Sequence, residues 1–323
     1  MSSLAQAAVD AILGGVAPRT LSSYLSSWKS FKEFLFLYNL PFPSLDVLTL
    51  SSFATHLHSV RKIKAASIQS YFSGINFMVK LASGSPCPAL DHAQINLLMK
   101  GLKKSEPRAD PSRQALTADL LLKCVSTLRS GYVGQPVDTC LEAMLLLGFF
   151  VFLRCAEFTA LKAHYNPAIH ASLSDISFSS PTTLTFSLKS SKTNQTGPAQ
   201  TILLFKLDSA LSPYETIHKH IALRISQGAG PSDPLFTNEA NQIATRCWFL
   251  HHFRQILSRS GIDPSHFSGH SLRVGAATSA SRSGISDRVI KQLGRWSSQA
   301  YALYIRNNVG DVYVAHDKLA SRI

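Results

Sequence analysis

The sequence predicts a mainly α-helical protein with a small antiparallel β-sheet, arranged in two domains. Most of the 323 residues lie in stretches whose apolar residues recur at helical spacing. After Asp175 the pattern changes to three short runs, ISFSS, TLTFSLK and TILLFK. The middle run alternates apolar with polar residues, as a half-buried strand does. The length of the chain suggests two domains rather than one.

Residues 1–104 are predicted to form a small all-helical domain. Its first helix is LSSYLSSWKSFKEFLFLY, which Thr20 can cap and which the PFPSL stretch ends. Three further helices are predicted in VLTLSSFATHLHSVR, AASIQSYFSGINFMVKLA and ALDHAQINLLMKGLKK. This half of the chain carries no motif that indicates a chemistry of its own.

Residues 105–115 are predicted to be a linker, because SEPRADPSRQ is rich in proline, serine and charge and lacks apolar periodicity. Residues 116–323 form the second predicted domain, whose first helix starts at Thr117. Helices are predicted in ADLLLKCVSTL, DTCLEAMLLLGFFVFLRCAEFTAL, YETIHKHIALRI and CWFLHHFRQILSRSG, with the strands between the second and the third. The sheet is therefore expected on one side of a helical domain.

The charge balance indicates a polyanionic partner. There are 32 Lys and Arg residues against 19 Asp and Glu, a formal net charge of +13. Nucleic acid is the first candidate and an anionic membrane surface the second, although no basic helix has a convincing apolar face. Charge that serves solubility alone is the plainer alternative. Candidate phosphate contacts in the first domain, each of which also suits a solvated helix face, are Arg61, Lys62, Lys64, Lys100, Lys103 and Lys104.

The cysteines and the N-terminus indicate where the protein resides. The five cysteines are odd in number and irregularly spaced, without a CxxC pair, which favours a reducing compartment. The N-terminus, MSSLAQAAVDAILGG, lacks the pattern of a secretory signal. The longest apolar run, residues 143–153, is shorter than the ~20 residues of a membrane span. We expect an intracellular protein, nuclear if the host is a eukaryote.

A zinc site can be drawn on paper but is not expected. Its ligands would come from a set of five residues whose spacings fit no standard zinc finger, Cys247, His251, His252, His266 and His270. The sequence therefore predicts neither a metal nor a cofactor.

Arg154 ends an eleven-residue apolar run, so the helix predicted to carry it is largely buried. A buried guanidinium is costly unless it is paired. Glu157 lies one helical turn further on and can pair with it. The pair is either purely structural or holds the arginine's fork of donors toward a phosphate.

In SGHSLRVGAATSA, His270 and Arg273 are three residues apart and share a face if the segment is helical. The small residues that follow, starting with Gly275, allow that helix to pack closely on a neighbour. A lone HxxR is more often a surface helix with two polar residues, so the motif needs a partner elsewhere in the chain.

That partner is SDRVIKQLGRWSSQAYALYIRNN. Ser286 can cap a short helix, Gly294 can end it in the left-handed conformation, and Ser297 or Ser298 can cap the next helix. Taken singly, the aromatic residues of this segment, Trp296, Tyr301 and Tyr304, are more often packing residues than functional ones.

Together these stretches resemble the tyrosine recombinase family. FLRCAEFTAL, HSLRVGAAT and LGRWSSQAYALYIRN occur in the order of that family's motifs. HSLRVGAA and YIRN are similar to Cre-like members, and GRWSS…YIR to recombinases of eukaryotic mobile elements of the DIRS, Ngaro and Crypton kinds. The motifs span residues 154–306. The helical N-terminal half is compatible with the family's core-binding domain.

The resemblance implies a catalytic role for each matched residue. Tyr304 would attack the scissile phosphodiester and leave a 3′-phosphotyrosine. Lys192, in the loop between the second and third strands, would protonate the leaving 5′-oxygen, with Lys189 as the competitor. The residues implied to bind or position the phosphate are Arg154, His270, Arg273 and Trp296, with Glu157 in support. The family needs neither a metal nor ATP.

The resemblance also implies the partners. The two domains would close as a clamp around double-stranded DNA. The protein would be a homo-tetramer on the DNA synapse and a monomer or weak oligomer without DNA. The reaction would serve the integration or excision of a mobile element. The C-terminal VYVAHDKLASRI is expected to dock on a neighbouring protomer.

One spacing departs from the family's pattern. Trp296 and Tyr304 are eight residues apart, where the family more often has about nine. The alternatives are a type IB topoisomerase and a captured DNA-binding domain that no longer cuts.

Overall fold

The computed structural model describes residues 2–107, 114–191 and 197–305. Three sequence predictions fall wholly or partly outside these ranges: the linker at residues 105–115, Lys192 as general acid, and the docking segment near the C-terminus. The chain divides into two compact units, Met1–Pro111 and Ser112–Ile323. In the described ranges, no helix is long and apolar enough to cross a membrane.

The first unit is all helical, as predicted. Phe31, Leu50, Phe53, Ile68 and Ile75 form its core and are completely buried. The four predicted helices are present, and an additional N-terminal helix precedes them. The helices are α1 (Ser2–Gly14), α2 (Pro18–Leu37), α3 (Val47–Thr55), which continues as a π-helical turn (His56–Val60), α4 (Ala65–Ser83) and, after a 3₁₀ turn (Pro88–Asp91), α5 (Ala93–Ser105).

The start of α2 differs from the prediction. Thr20 was expected to cap α2, but the helix begins at Pro18, after Ala17. The fixed φ of proline suits the first helical position, so the helix extends two residues beyond the predicted cap. At α3 a side-chain cap does form, because Asp46 accepts a 2.8 Å hydrogen bond from the backbone N–H of Thr49.

The second unit combines helices with the small sheet, also as predicted. Its central helix is buried on all sides from Val137 to Phe149. The helices are α6 (Ala118–Arg129), α7 (Gln135–Phe150), α8 (Cys155–Phe158), α9 (Pro213–Ser226), α10 (Arg246–Arg259), α11 (Ser271–Arg282) and α12 (Asp287–Gly294), with 3₁₀ turns at Leu173–Asp175, Pro264–His266 and Gln299–Tyr304.

The sheet is antiparallel with the order β1-β2-β3, and its strands are β1 (Ile176–Ser180), β2 (Thr183–Leu188) and β3 (Gln200–Phe205). Leu184, Phe186 and Leu188 are buried, while the residues between them are half-buried. The alternation in the sequence therefore identified the strand and its inner face correctly.

The long helix predicted through Arg154 is wrong, because α7 ends at Phe150 and α8 is a separate short helix. Between them Phe152 takes a positive φ of 53°, and Arg154 has extended backbone before the first turn of α8. The carbonyl groups at the end of a helix lack intrahelical partners. Here those of Val151 and Phe152 accept hydrogen bonds from arginine side chains instead.

Gly275 brings α11 against the chain that precedes α6, confirming the close packing expected from the small residues. A Cβ atom on Gly275 would lie 1.7 Å from the carbonyl oxygen of Leu116. Leu116 is fixed there, because its N–H donates a 3.0 Å hydrogen bond to the carbonyl of Ser271. The backbone of α11 and that of Leu116 are so close that a methyl group on Gly275 has no room between them.

Gly275→Ala is therefore expected to lower the free energy of unfolding of the second unit by about 1–3 kcal/mol, the usual cost of overpacking. Urea unfolding followed by circular dichroism measures this. Gly101→Ala is the matched control, because Gly101 lies within α5 with nothing near its Cβ position. The control should stabilise the first unit by up to about 1 kcal/mol. An unchanged urea midpoint for Gly275→Ala would contradict the tight contact.

Candidate active site

Arg154 and Glu157 form the predicted ion pair, at the start of α8. Arg154 Nη1 lies 2.7 Å from Glu157 Oε1, and the backbone N–H of Arg154 donates a 2.9 Å hydrogen bond to Glu157 Oε2. The side chain of Glu157 is 5% exposed and that of Arg154 is 18% exposed. The carboxylate thus closes the first turn of α8 and fixes the arginine at the same time.

Arg273 projects from α11 into the interior and is completely buried. Its Nη1 donates to the carbonyl of Phe152 and its Nη2 to that of Gly294, while its Nε has no partner within the described part of the chain. Burial is the main reason that the pKa of Arg273 falls to about 10, and the nearby Arg154 lowers it further. The α11 helix therefore holds a strongly desolvated positive charge.

Two aromatic rings cover this guanidinium. The Arg273 Cζ atom lies 4.3 Å from the ring centroid of Trp296 and 5.8 Å from that of Tyr304, both within cation–π distance. The two ring centroids are 5.2 Å apart. The structure therefore brings together Arg273, Trp296 and Tyr304, which the sequence analysis had assigned to one site.

Arg295 belongs to the same cluster, and the sequence analysis missed it. Its Nη2 lies 3.2 Å from Glu157 Oε2, and its side chain is 8% exposed. Burial, with the nearby Arg154, lowers the pKa of Arg295, while Glu157 opposes this shift. No local pattern in the sequence pointed to Arg295, because its partner Glu157 is 138 residues away.

The end of α12 differs from the prediction. Gly294 was expected to adopt the left-handed conformation, but Arg295 does so, with φ of 55°. Gly294 is required for another reason: a Cβ atom there would lie 1.7 Å from the indole ring of Trp296. The glycine makes room for the indole, which can then lie over Arg273.

The two tyrosines of the 3₁₀ turn Gln299–Tyr304 are in different environments. Tyr301 is 5% exposed, and its hydroxyl donates a 2.6 Å hydrogen bond to Asp287 Oδ2. This bond favours the neutral phenol and raises the pKa of Tyr301. Tyr304 is half-buried beside Trp296. Ser298 caps the turn, as one of the two predicted serines, by accepting from the N–H of Ala300.

His270 and Arg273 do not share one environment. His270 stands at the N-cap of α11 and is exposed, whereas Arg273 is completely buried. The spacing therefore predicted that the two residues lie close together on the chain, but not that their burial differs. His270 stands just before the first turn of α11, and Arg273 lies within that turn.

Lys189, the competitor for the role of general acid, is held in place by oxygen atoms. Its Nζ lies 2.7 Å from Asp175 Oδ2, and it donates to Ser172 Oγ at 2.6 Å and to the carbonyls of Pro167 and His170. Four acceptors around three N–H bonds leave this ammonium group no free donor, so Lys189 anchors the end of β2.

The other predicted groups are dispersed. Within the described ranges, no three His, Cys, Asp or Glu side chains are grouped so as to hold a metal ion. Of the residues considered for zinc, His252 contacts Tyr132 and Glu239, and His266 faces Asp263. The six candidate phosphate contacts of the first unit are all exposed: Arg61, Lys62, Lys64, Lys100, Lys103 and Lys104.

Comparison with known proteins identifies both halves of the chain. Residues 165–309 match the phage integrase family, and residues 3–86 match the phage integrase SAM-like domain. No curated protein matches the sequence.

Solved structures share the fold at low sequence identity. XerH recombinase in a post-cleavage complex with its palindromic difH substrate is 13% identical, with a TM-score of 0.62, covering 92% of this chain and 78% of its own. A lambda integrase dimer bound to a COC′ core site is 20% identical, with a TM-score of 0.56 and 91% of each chain covered.

A third similar structure is the Tn1549 transposon integrase in complex with circular intermediate DNA. It is 11% identical, with a TM-score of 0.55, covering 85% of this chain and 86% of its own. The two matched domains and these folds agree with one another and with the motifs of the cluster. The chain therefore contains an integrase SAM-like domain followed by a phage integrase family domain, and it has the fold of the solved site-specific recombinases and integrases.

Proposed function

We propose that this protein is a site-specific DNA recombinase that cuts and rejoins strands through a 3′-phosphotyrosine on Tyr304, for integration or excision of a mobile element. One observation carries this function: Arg154 and Arg295 both pair with the buried carboxylate of Glu157, and Arg273, within electrostatic range of all three, lies 5.8 Å from the ring of Tyr304. The structurally similar XerH, lambda and Tn1549 proteins were all solved with DNA, which supports DNA as the substrate.

The cluster has the charge that phosphoryl transfer requires. Three guanidinium groups against one carboxylate leave two positive charges uncompensated within it. When the Tyr304 oxygen bonds to phosphorus and the bond to the 5′-oxygen breaks, negative charge gathers on the non-bridging oxygens. Fixed arginine donors stabilise that charge without reorganisation. They can take the place of a metal ion, so the proposed reaction uses none.

The remaining side chains serve the proton transfers and the geometry. Trp296 is proposed to hold the Arg273 guanidinium in place, since its ring centroid lies 4.3 Å from Arg273 Cζ. His270 is proposed to help position the phosphate or to accept the tyrosine proton, and its exposure leaves it accessible to DNA. Lys192 is proposed as the general acid for the 5′-oxygen, since Lys189 is already held by four oxygen atoms.

DNA binding is proposed to rest on the charge excess of +13 and on the exposed lysines and arginines of the first unit. Both domains would contact the duplex as a clamp. Joining two duplexes requires several active sites, so a homo-tetramer on DNA is proposed as the working assembly. In a eukaryotic host this substrate would place the protein in the nucleus.

Tyr304→Phe is expected to abolish the covalent protein–DNA adduct and to leave folding and DNA binding unchanged, because only one oxygen is removed. Tyr301→Phe, the matched control, should keep the adduct, because its hydroxyl is bonded to Asp287. The assay uses nicked duplexes from the DNA that flanks the coding sequence, in EDTA, with adducts resolved by denaturing electrophoresis. An adduct on Tyr301, or loss of cleavage on chelation alone, would contradict the proposed function.

Lys192→Ala is expected to slow cleavage by about 10²–10⁴-fold, the range of general acid catalysis. A substrate with sulfur in place of the bridging 5′-oxygen should restore the rate, because sulfur leaves without a proton. Lys189→Ala should instead lower the urea midpoint, since it leaves the buried Asp175 without its ion pair. If the sulfur substrate rescued Lys189→Ala and not Lys192→Ala, the two roles would be reversed.

A further inference from the structure

Arg295 connects three separate parts of the catalytic unit. Its Nη1 donates a 2.7 Å hydrogen bond to the carbonyl of Val151, just beyond α7. Its Nη2 donates at 3.2 Å to Glu157 Oε2, on α8. Its own backbone leads directly into the segment that carries Trp296 and Tyr304. One side chain therefore joins the nucleophile segment to the pair Arg154–Glu157.

The backbone at this position is one that an arginine rarely adopts. Arg295 has φ of 55°, in the left-handed region that glycine favours. A glycine stands next to it, but Gly294 is needed under the indole ring, where any Cβ would collide. A strained backbone conformation persists where the surrounding packing and hydrogen bonds hold it in place, and such positions are common at functional sites. Here Gly294 leaves space for the indole ring of Trp296, and Arg295 supplies the guanidinium group that pairs with Glu157.

We infer that Arg295 is a positioning residue, which fixes Trp296 and Tyr304 relative to Arg154 through their shared partner Glu157. This inference rests on the proposed function. Arg295 is assigned to positioning because its hydrogen bonds run to the carbonyl of Val151 and to Glu157, which is itself the partner of Arg154. The planar fork matters as well as the charge. A lysine would keep the charge but could not hold two acceptors at fixed angles.

The test substitution takes advantage of the strained backbone. Arg295→Gly removes the guanidinium and at the same time relaxes the left-handed φ, so the unit should remain folded. The single-turnover cleavage rate at saturating nicked duplex should fall by about 10²-fold, the effect of roughly 1 Å of misplacement. The DNA concentration for half-maximal rate should not change. Arg295→Lys should be nearly as slow, and it carries the test if the glycine variant fails to fold.

A second readout reports placement without activity. The chain has three tryptophans, so 5-fluorotryptophan labelling gives three ¹⁹F resonances, with Trp296→Phe identifying one of them. In Arg295→Gly the Trp296 resonance should shift, while those of Trp28 and Trp248 stay in place. The matched control is Asn39→Gly, an exposed residue of the first unit with φ of 52°. It should leave both the resonances and the cleavage rate unchanged.

The outcomes separate this inference from the proposed function. A wild-type cleavage rate in Arg295→Gly would overturn the positioning role. A wild-type rate in Arg295→Lys would show that the positive charge is sufficient, and would overturn the role of the planar guanidinium group. If the wild-type protein formed no adduct at all, the proposed function would fail. The ¹⁹F shift would then still support the placement by Arg295, and an unchanged Trp296 resonance would refute it.

Discussion

The structure of the second unit depends on the pairing of arginine side chains with the buried carboxylate of Glu157. An arginine side chain taken out of water is tolerated only when it is paired and hydrogen-bonded. Glu157 meets this need for both Arg154 and Arg295, and free backbone carbonyls meet it for Arg273. A helix that ended anywhere other than Phe150 would not offer those carbonyls at this place.

The surrounding features follow from keeping these charges close together. The break after α7 exposes the carbonyls of Val151 and Phe152 to the guanidinium groups. The left-handed turn at Arg295 directs its side chain back toward Glu157. Trp296 then covers Arg273. Burial, and after it the nearby Arg154, lowers the pKa of Arg273, and Arg154 is the most exposed of the three side chains.

Periodicity in the sequence predicted those helices and strands well that have one buried face and one solvent-exposed face. The alternation around Phe186 gave β2, and the small residues after Arg273 indicated the tight packing at Gly275. The continuous apolar run before Arg154 could not reveal where α7 ends, because a buried helix and a buried loop are both made of apolar residues. Arg295 escaped notice for a related reason: its partner Glu157 is 138 residues away in the sequence, a distance that no local pattern records.

A double-mutant cycle on the single-turnover cleavage rate tests most directly whether Glu157 organises the site. The rates to compare are those of the wild type, Glu157→Gln, Arg295→Gly and the double variant, all at saturating DNA. If the carboxylate and Arg295 act as one unit, the double variant should be scarcely slower than the slower single variant, a coupling free energy within the range of about 0.5–3 kcal/mol that contacting residues show. If the two effects simply multiplied, Glu157 would not link Arg295 to Arg154 and Arg273, and the central role of this carboxylate would be contradicted.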